Sequence, residues 1–300
     1  MSRKRLAIIV SFIVVLVLLT NFITPVNAST ISSIYTWELT FNPSGPYFND
    51  QRLNPFAIPE IRAAMNQLIN RQWIDDNIFG GTVTPLWLPI SHYLDEYPGV
   101  KTEYDALEAA YAHDTTTAES IISTELLTLG ATKVGDLWYY ADEPLEIIMV
   151  IRVEDERQAI GDYVKGLLED IGFSVTALYK TSAEASPIWL NSDPAEGQWH
   201  IYTGAWLSYA ESGTLWYELA NFQFYYTQDS PYNFSPLWAA YNPDPAFRAL
   251  ADDLEEDLFA TPAARHDAIV SGLEYALEDS VRIWLAERPY SNFYLPLIRR

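Results

Sequence analysis

The sequence contains no cysteine. That excludes a disulfide framework, a thiolate metal site, a thiol nucleophile and a lipoprotein cysteine anchor. Histidine is scarce: His92, His113, His200 and His266 are scattered, and no two stand at the i, i+4 spacing that puts two imidazoles on one metal. Neither a metal nor a cofactor is expected. Positive charge is short, with 18 Lys and Arg against 40 Asp and Glu, and the net of −22 repels phosphate backbones and anionic membrane surfaces. Nucleic-acid binding is set aside on that ground. The G-x-S-x-G elbow, the Walker A loop and the G-x-G-x-x-G turn are missing too, which removes the usual support for serine hydrolase, nucleotide and dinucleotide chemistry. Forty carboxylates could supply a glycosidase pair, but nothing marks any two as close.

What the chain does have is an ordinary globular balance over 300 residues, 49% hydrophobic and 19% charged, together with 10 Trp, 20 Tyr and 13 Phe. So many rings exceed what a core of this size needs, and some are expected on a binding surface. Arg3, Lys4 and Arg5 precede an apolar run from Leu6 to Leu19, with Val26 and Ala28 placed as at a cleavage site. This order predicts a secretory signal peptide over 1–28, the alternative being an uncleaved anchor, and an extracytoplasmic location in either case.

Residues 29–54 hold Pro43, Gly45, Pro46 and Asn54 without a sustained period and read as a linker or a short strand around Ile34 to Phe41. Pro59 followed by Ile61, Met65, Leu68 and Ile69 predicts an amphipathic helix over 59–79, ended by Gly80 and Gly81. Helices are expected over 104–113 and 117–129, the latter capped from Thr115 to Thr117, and a hairpin around Gly135 and Asp136. Leu145 to Val153 is apolar on both faces, Asp155 to Ile171 is helical, and Phe173 to Tyr179 is β-rich, so the three form a βαβ crossover with parallel strands. A third strand is expected over Trp199 to Trp206, helices over 182–190, 245–259 and 262–279, and a closing strand over 281–285. The acidic run from Asp252 to Asp257 lies opposite Phe247, Leu250 and Leu254, which makes it a solvated helix face.

The densest functional signal is Trp199 to Tyr226, where ten aromatic residues fall within 28 positions alongside Gly204 and Gly213. Strand alternation puts His200, Tyr202, Gly204 and Trp206 on one face and Trp199, Ile201, Thr203 and Ala205 on the other. An aromatic face that runs into a glycine-containing loop at the C-terminal end of a strand is where α/β sheets bind ligands. The candidate ligand-binding residues are Tyr202, Gly204, Trp206, Ser208, Tyr209 and Trp216.

Several segments together resemble a known family. Asn54-Pro55-Phe56, then Ile61 to Asn66 and Leu68-Ile69-Asn70-Arg71, is similar to the helix that opens with Asn-Pro in family 5 extracellular solute-binding proteins, the peptide- and nickel-binding subunits of ABC importers. Gly80-Gly81 to Pro85 and Pro89 resembles the loop that follows it there, and 145–179 resembles that family's crossover. Gly204-Ala205-Trp206 resembles its ligand-side motif. The order matches over 54–285. The resemblance implies an α/β fold, one lobe of a periplasmic-binding-protein type II-like architecture with a mixed sheet flanked by helices. It also implies capture of a peptide or other small oligomeric solute and delivery to ABC permease subunits in the membrane. In the family the opposite lobe comes from a long N-terminal segment and the C-terminal tail, so residues 29–53 are expected to be a linker or a remnant of it, 286–300 a shortened tail, and the chain incomplete. Where peptide-binding members carry an acidic residue for the ligand's amino terminus, Leu207, Ser208 and Tyr209 stand here. An interaction domain without transport, and a secreted carbohydrate-active enzyme, are the other readings.

Overall fold

The computed structural model describes residues 33–209, 218–227, 236–237 and 241–290. The expected leader over 1–28, the tail beyond 290 and Trp216 lie outside them.

In chain order the elements are β1 (Ser33–Phe41), α1 (Pro59–Leu68), α2 (Arg71–Ile74), β2 (Thr84–Pro85), α3 (Tyr97–Ala110), α4 (Thr115–Thr128), β3 (Thr132–Val134), β4 (Leu137–Tyr140) and β5 (Glu143–Pro144). There follow β6 (Glu146–Arg152), α5 (Arg157–Asp170), β7 (Ser174–Lys180), α6 (Ser182–Trp189), β8 (Ile201–Tyr209), α7 (Ala220–Tyr226), α8 (Pro245–Glu256), α9 (Pro262–Asp279) and β9 (Arg282–Tyr290). Six strands form one mixed sheet in the order β2-β9-β1-β8-β6-β7, and β3-β4-β5 form a small separate one.

The expected crossover is present. β6 and β7 pair in parallel from Glu146↔Ser174 to Arg152↔Lys180, with α5 packed on their face. The packing is close enough that a Cβ on Gly161 of α5 would stand 2.6 Å from Ile151. Alternation along the strands divides two cores. Ile147, Met149, Ile151 and Ile201 join α1, α4 and α5 on one face, whereas Val150, Tyr202 and Trp284 join the rings of α3, α7 and α8 on the other. Helices thus cover both faces of the sheet, as its near-continuous apolar strands require.

Of the two readings of residues 29–54, the strand around Ile34 to Phe41 is present: β1 runs through the interior of the sheet, antiparallel to β8 and to β9, and all but one of its residues are buried. Two local expectations change. The helix expected over 59–79 is broken at Ile69, whose backbone is extended. Asn70 restarts it by accepting the Trp73 N–H on its side-chain oxygen at 2.9 Å, which outcompetes continuation because Asn satisfies an otherwise orphaned donor there. A π-helical turn over Asp75–Phe79 then ends at Gly80 in the left-handed conformation. The cap of α4 is Asp114 rather than one of the threonines, accepting from the backbone N–H of Thr117 at 3.1 Å.

Candidate functional site

β8 places the candidate residues. Because β6, β7 and β8 are parallel, their C-terminal ends share one edge of the sheet, and Trp206 approaches that edge. Ile201 and Ala205 face one core while Tyr202 and Trp206 face the other, as alternation requires. Trp199 and His200 precede the strand and escape that period: Trp199 packs in the same core as Tyr202, against the sequence expectation. His200 Nδ1 accepts from the backbone N–H of Ile148 at 3.0 Å, and its ring meets Phe48 edge-on. It is fully buried, and burial, with Arg52 adding to the effect, holds its pKa down at about 3.

Gly204 lies directly opposite Glu38 of β1. The absence of a side chain makes room for the Glu38 carboxylate, since a Cβ at 204 would stand 1.7 Å from Oε1. That carboxylate is 1% exposed and accepts hydrogen bonds from Thr40 Oγ1 at 2.9 Å, from Trp206 Nε1 at 3.2 Å and from an Arg282 guanidinium nitrogen at 3.0 Å. Burial pushes its pKa up, against the pull of Arg282. The Arg282 guanidinium also lies over the rings of Trp206 and Tyr225, 5.1 and 5.0 Å from their centroids. Trp206 is therefore fixed on several sides: its indole N–H by Glu38, a ring face by Arg282, and its edges by Phe224 and Tyr225 at 5.8 and 5.4 Å. It remains half-buried, so part of an immobilised ring is left for contact.

The other candidates play different parts. Tyr202 is buried, stacked on Trp189 at 4.0 Å with 9° between planes, and its hydroxyl accepts from Arg152 at 2.8 Å. It braces the edge from beneath. Ser208 is buried and, with Thr36 and Glu218, lines a small internal space of about 10 Å³, on the order of one water. Tyr209 ends β8, but its side chain, like Trp216, lies outside the described residues.

Sequence reasoning missed Glu38, Arg282, Arg152 and Trp189. Glu38 offered one signal, a carboxylate alternating with Trp37 and Leu39 inside an apolar strand. At the same edge Arg152 grips both Glu154 oxygens at 2.8 and 2.9 Å, and that contact holds the Glu154 carboxyl down at about 2. Among the described residues no group of three or more His, Asp or Glu side chains could hold a metal, and no helix is long and apolar enough to cross a membrane.

Residues 19–229 match the middle region of the bacterial extracellular solute-binding proteins, family 5. The chain belongs to that family. No curated protein sequence matches it. Among solved structures it resembles a periplasmic oligopeptide-binding protein of Thermotoga maritima, known also with mannohexaose bound, at 19% identity and a TM-score of 0.63, over 88% of this chain and 47% of that one. It resembles the oligopeptide-binding protein AppA of Bacillus subtilis, in complex with a nonapeptide, at 13% identity and a TM-score of 0.61, over 88% and 48%. A peptide-binding protein of a peptide ABC transporter aligns at 18% identity and a TM-score of 0.62, over 85% of this chain and 99% of that one. This family 5 chain thus spans about half the length of the first two relatives. At such identities the likeness is one of fold, and that fold is a lobe of the periplasmic-binding-protein type II-like class, a mixed sheet flanked by helices.

Proposed function

We propose that this family 5 protein is the substrate-binding component of an ABC importer, taking a peptide or similar oligomer outside the cytoplasm and passing it to membrane permease subunits. The carrying observation is Trp206: a half-buried indole at the sheet edge, held rigid by Glu38 and Arg282, within a family whose members bind solutes. A ring fixed before the ligand arrives loses little entropy on binding and can stack on a peptide plane, a side chain or a sugar. The nonapeptide of AppA and the mannohexaose of the Thermotoga protein are oligomers that such a platform would suit.

Gly204 acts through Glu38, Tyr202 acts through Arg152, Ser208 is buried beside them, and Tyr209 and Trp216 are proposed from the sequence alone as further ligand contacts. With no acidic residue directly after Trp206, recognition falls on stacking and hydrogen bonding and does not need a free amino terminus.

Titrating the purified protein with di- to hexapeptides and with oligosaccharides, while following tryptophan fluorescence, tests this reading. Saturable quenching that disappears in Trp206→Ala, with an unchanged circular dichroism spectrum, is the expected result. Equal binding by the variant would remove the site.

A further inference from the structure

At the end of the large sheet away from Trp206, a cavity of about 490 Å³ opens beside the first residues of β6 and β7. Small-molecule sites commonly measure about 300–1,000 Å³, so the cavity is of ligand size. Seven strand residues at roughly 3.3 Å each separate it from the edge that Trp206 approaches. It is independent of the function proposed above.

Its lining combines an apolar floor, an aromatic platform and a paired acceptor and donor. Leu53 and Leu145 are buried there. Tyr140 lines the cavity and is stacked on Tyr47, centroids 5.7 Å apart with 28° between planes. Asp50 and Arg52 meet at 2.7 Å, yet their side chains keep 51% and 38% exposure, so an oxygen acceptor and a nitrogen donor stand side by side toward solvent. Both are already oriented. The Arg52 backbone N–H donates to Asp50 at 3.1 Å, while the guanidinium donates to Gly197 O at 2.8 Å and lies over Phe48. The rim is fixed by two turns in which Gln51, Ala141 and Asp142 hold φ at 69°, 51° and 66°, three of the five non-glycine residues with positive φ among the described residues. Side chains rarely adopt that conformation unless their surroundings impose it.

We propose that this cavity binds a short neutral saccharide. Asp50 carries its own counter-charge in Arg52, so the pair asks for no ion from the ligand and instead matches a vicinal diol, which donates to the carboxylate and accepts from the guanidinium. The apolar C–H face of a pyranose stacks on Tyr140. Ser174 and Glu146 stand at the same cavity and extend hydrogen bonding to a second ring.

Isothermal titration calorimetry of the purified protein with cellobiose, maltose and mannobiose tests the assignment. Saturable heat is expected from at least one of them, weakened at least tenfold by Tyr140→Leu and by the exposed, fold-neutral Asp50→Asn, and changed less than twofold by Trp206→Ala. Absence of saturable heat from all three sugars would overturn it. So would sugar binding lost in Trp206→Ala and retained in Tyr140→Leu, which would assign the sugar to the β8 edge. Peptide-induced quenching of tryptophan fluorescence is a separate readout, so either proposal can fail without the other.

Discussion

Gly204 and Glu38 face each other across the β1–β8 ladder, and the space a methyl group on Gly204 would fill is already occupied by the Glu38 carboxylate. The aromatic platform at Trp206 depends on that relationship, because the same carboxylate receives the indole N–H.

Gly204→Ala should lower stability by about 2–3 kcal/mol, the usual penalty for forcing atoms into a filled core. Urea unfolding measures it, and an unchanged midpoint would contradict the Glu38–Gly204 register.

Arg282→Met should cost about 3–5 kcal/mol, since it leaves a buried carboxylate without its counter-ion. The double variant Glu38→Leu with Arg282→Met should regain most of that loss, because replacing both ions removes the unpaired charge. A double-mutant cycle in urea reads the coupling, and strict additivity would refute it.

Arg62 and Arg71 are buried, 2% and 1% exposed. Arg71 donates to the backbone carbonyls of Leu86, Trp284 and Asn66 at 2.7–2.9 Å and lies over Trp87, and burial brings its pKa down to about 9. Arg71→Met should destabilise by about 2–4 kcal/mol through stranded carbonyls. Arg71→Lys should not restore stability, because a single ammonium cannot span the acceptors of a planar fork. Thermal unfolding of the two variants decides the point.

Two histidines set opposite pH slopes. Burial works against the charge on His92, but Glu108 at 3.3 Å and Glu287 at 2.7 Å outweigh it and raise its pKa to about 9, with Tyr97 and Tyr104 packed edge-on against the ring. Above about pH 6.5 the unfolded chain releases a proton that folded His92 keeps, so stability falls as pH rises toward 9. Below about pH 6.5 the unfolded chain binds a proton that folded His200 refuses, so stability falls as pH falls toward 3. Each slope is about 1.4 kcal/mol per pH unit at most, and the histidine contribution peaks near pH 6.5. Urea unfolding at pH 5, 6.5 and 9 should show His92→Gln flattening the alkaline side and His200→Gln the acidic side.

Much of the fold is legible in the sequence. The run Leu145 to Val153, the helix after it and Phe173 to Tyr179 carry their periods locally, and they pair in parallel as those periods require. The family, too, follows from segments whose order survives in the chain. The break at Asn70 is not foreseen, because the apolar spacing continues through it.

By itself the sequence determined the α/β class, the crossover, the aromatic strand and its edge tryptophan, because hydrophobic period and turn residues act over a few neighbouring positions. Only the tertiary structure decided that Ser33–Phe41 lies inside the sheet, that Gly204 exists for Glu38, and that Arg282 reaches Glu38 from 244 residues away. A buried charge must find its partner wherever the folded chain brings one, and no local pattern records that pairing.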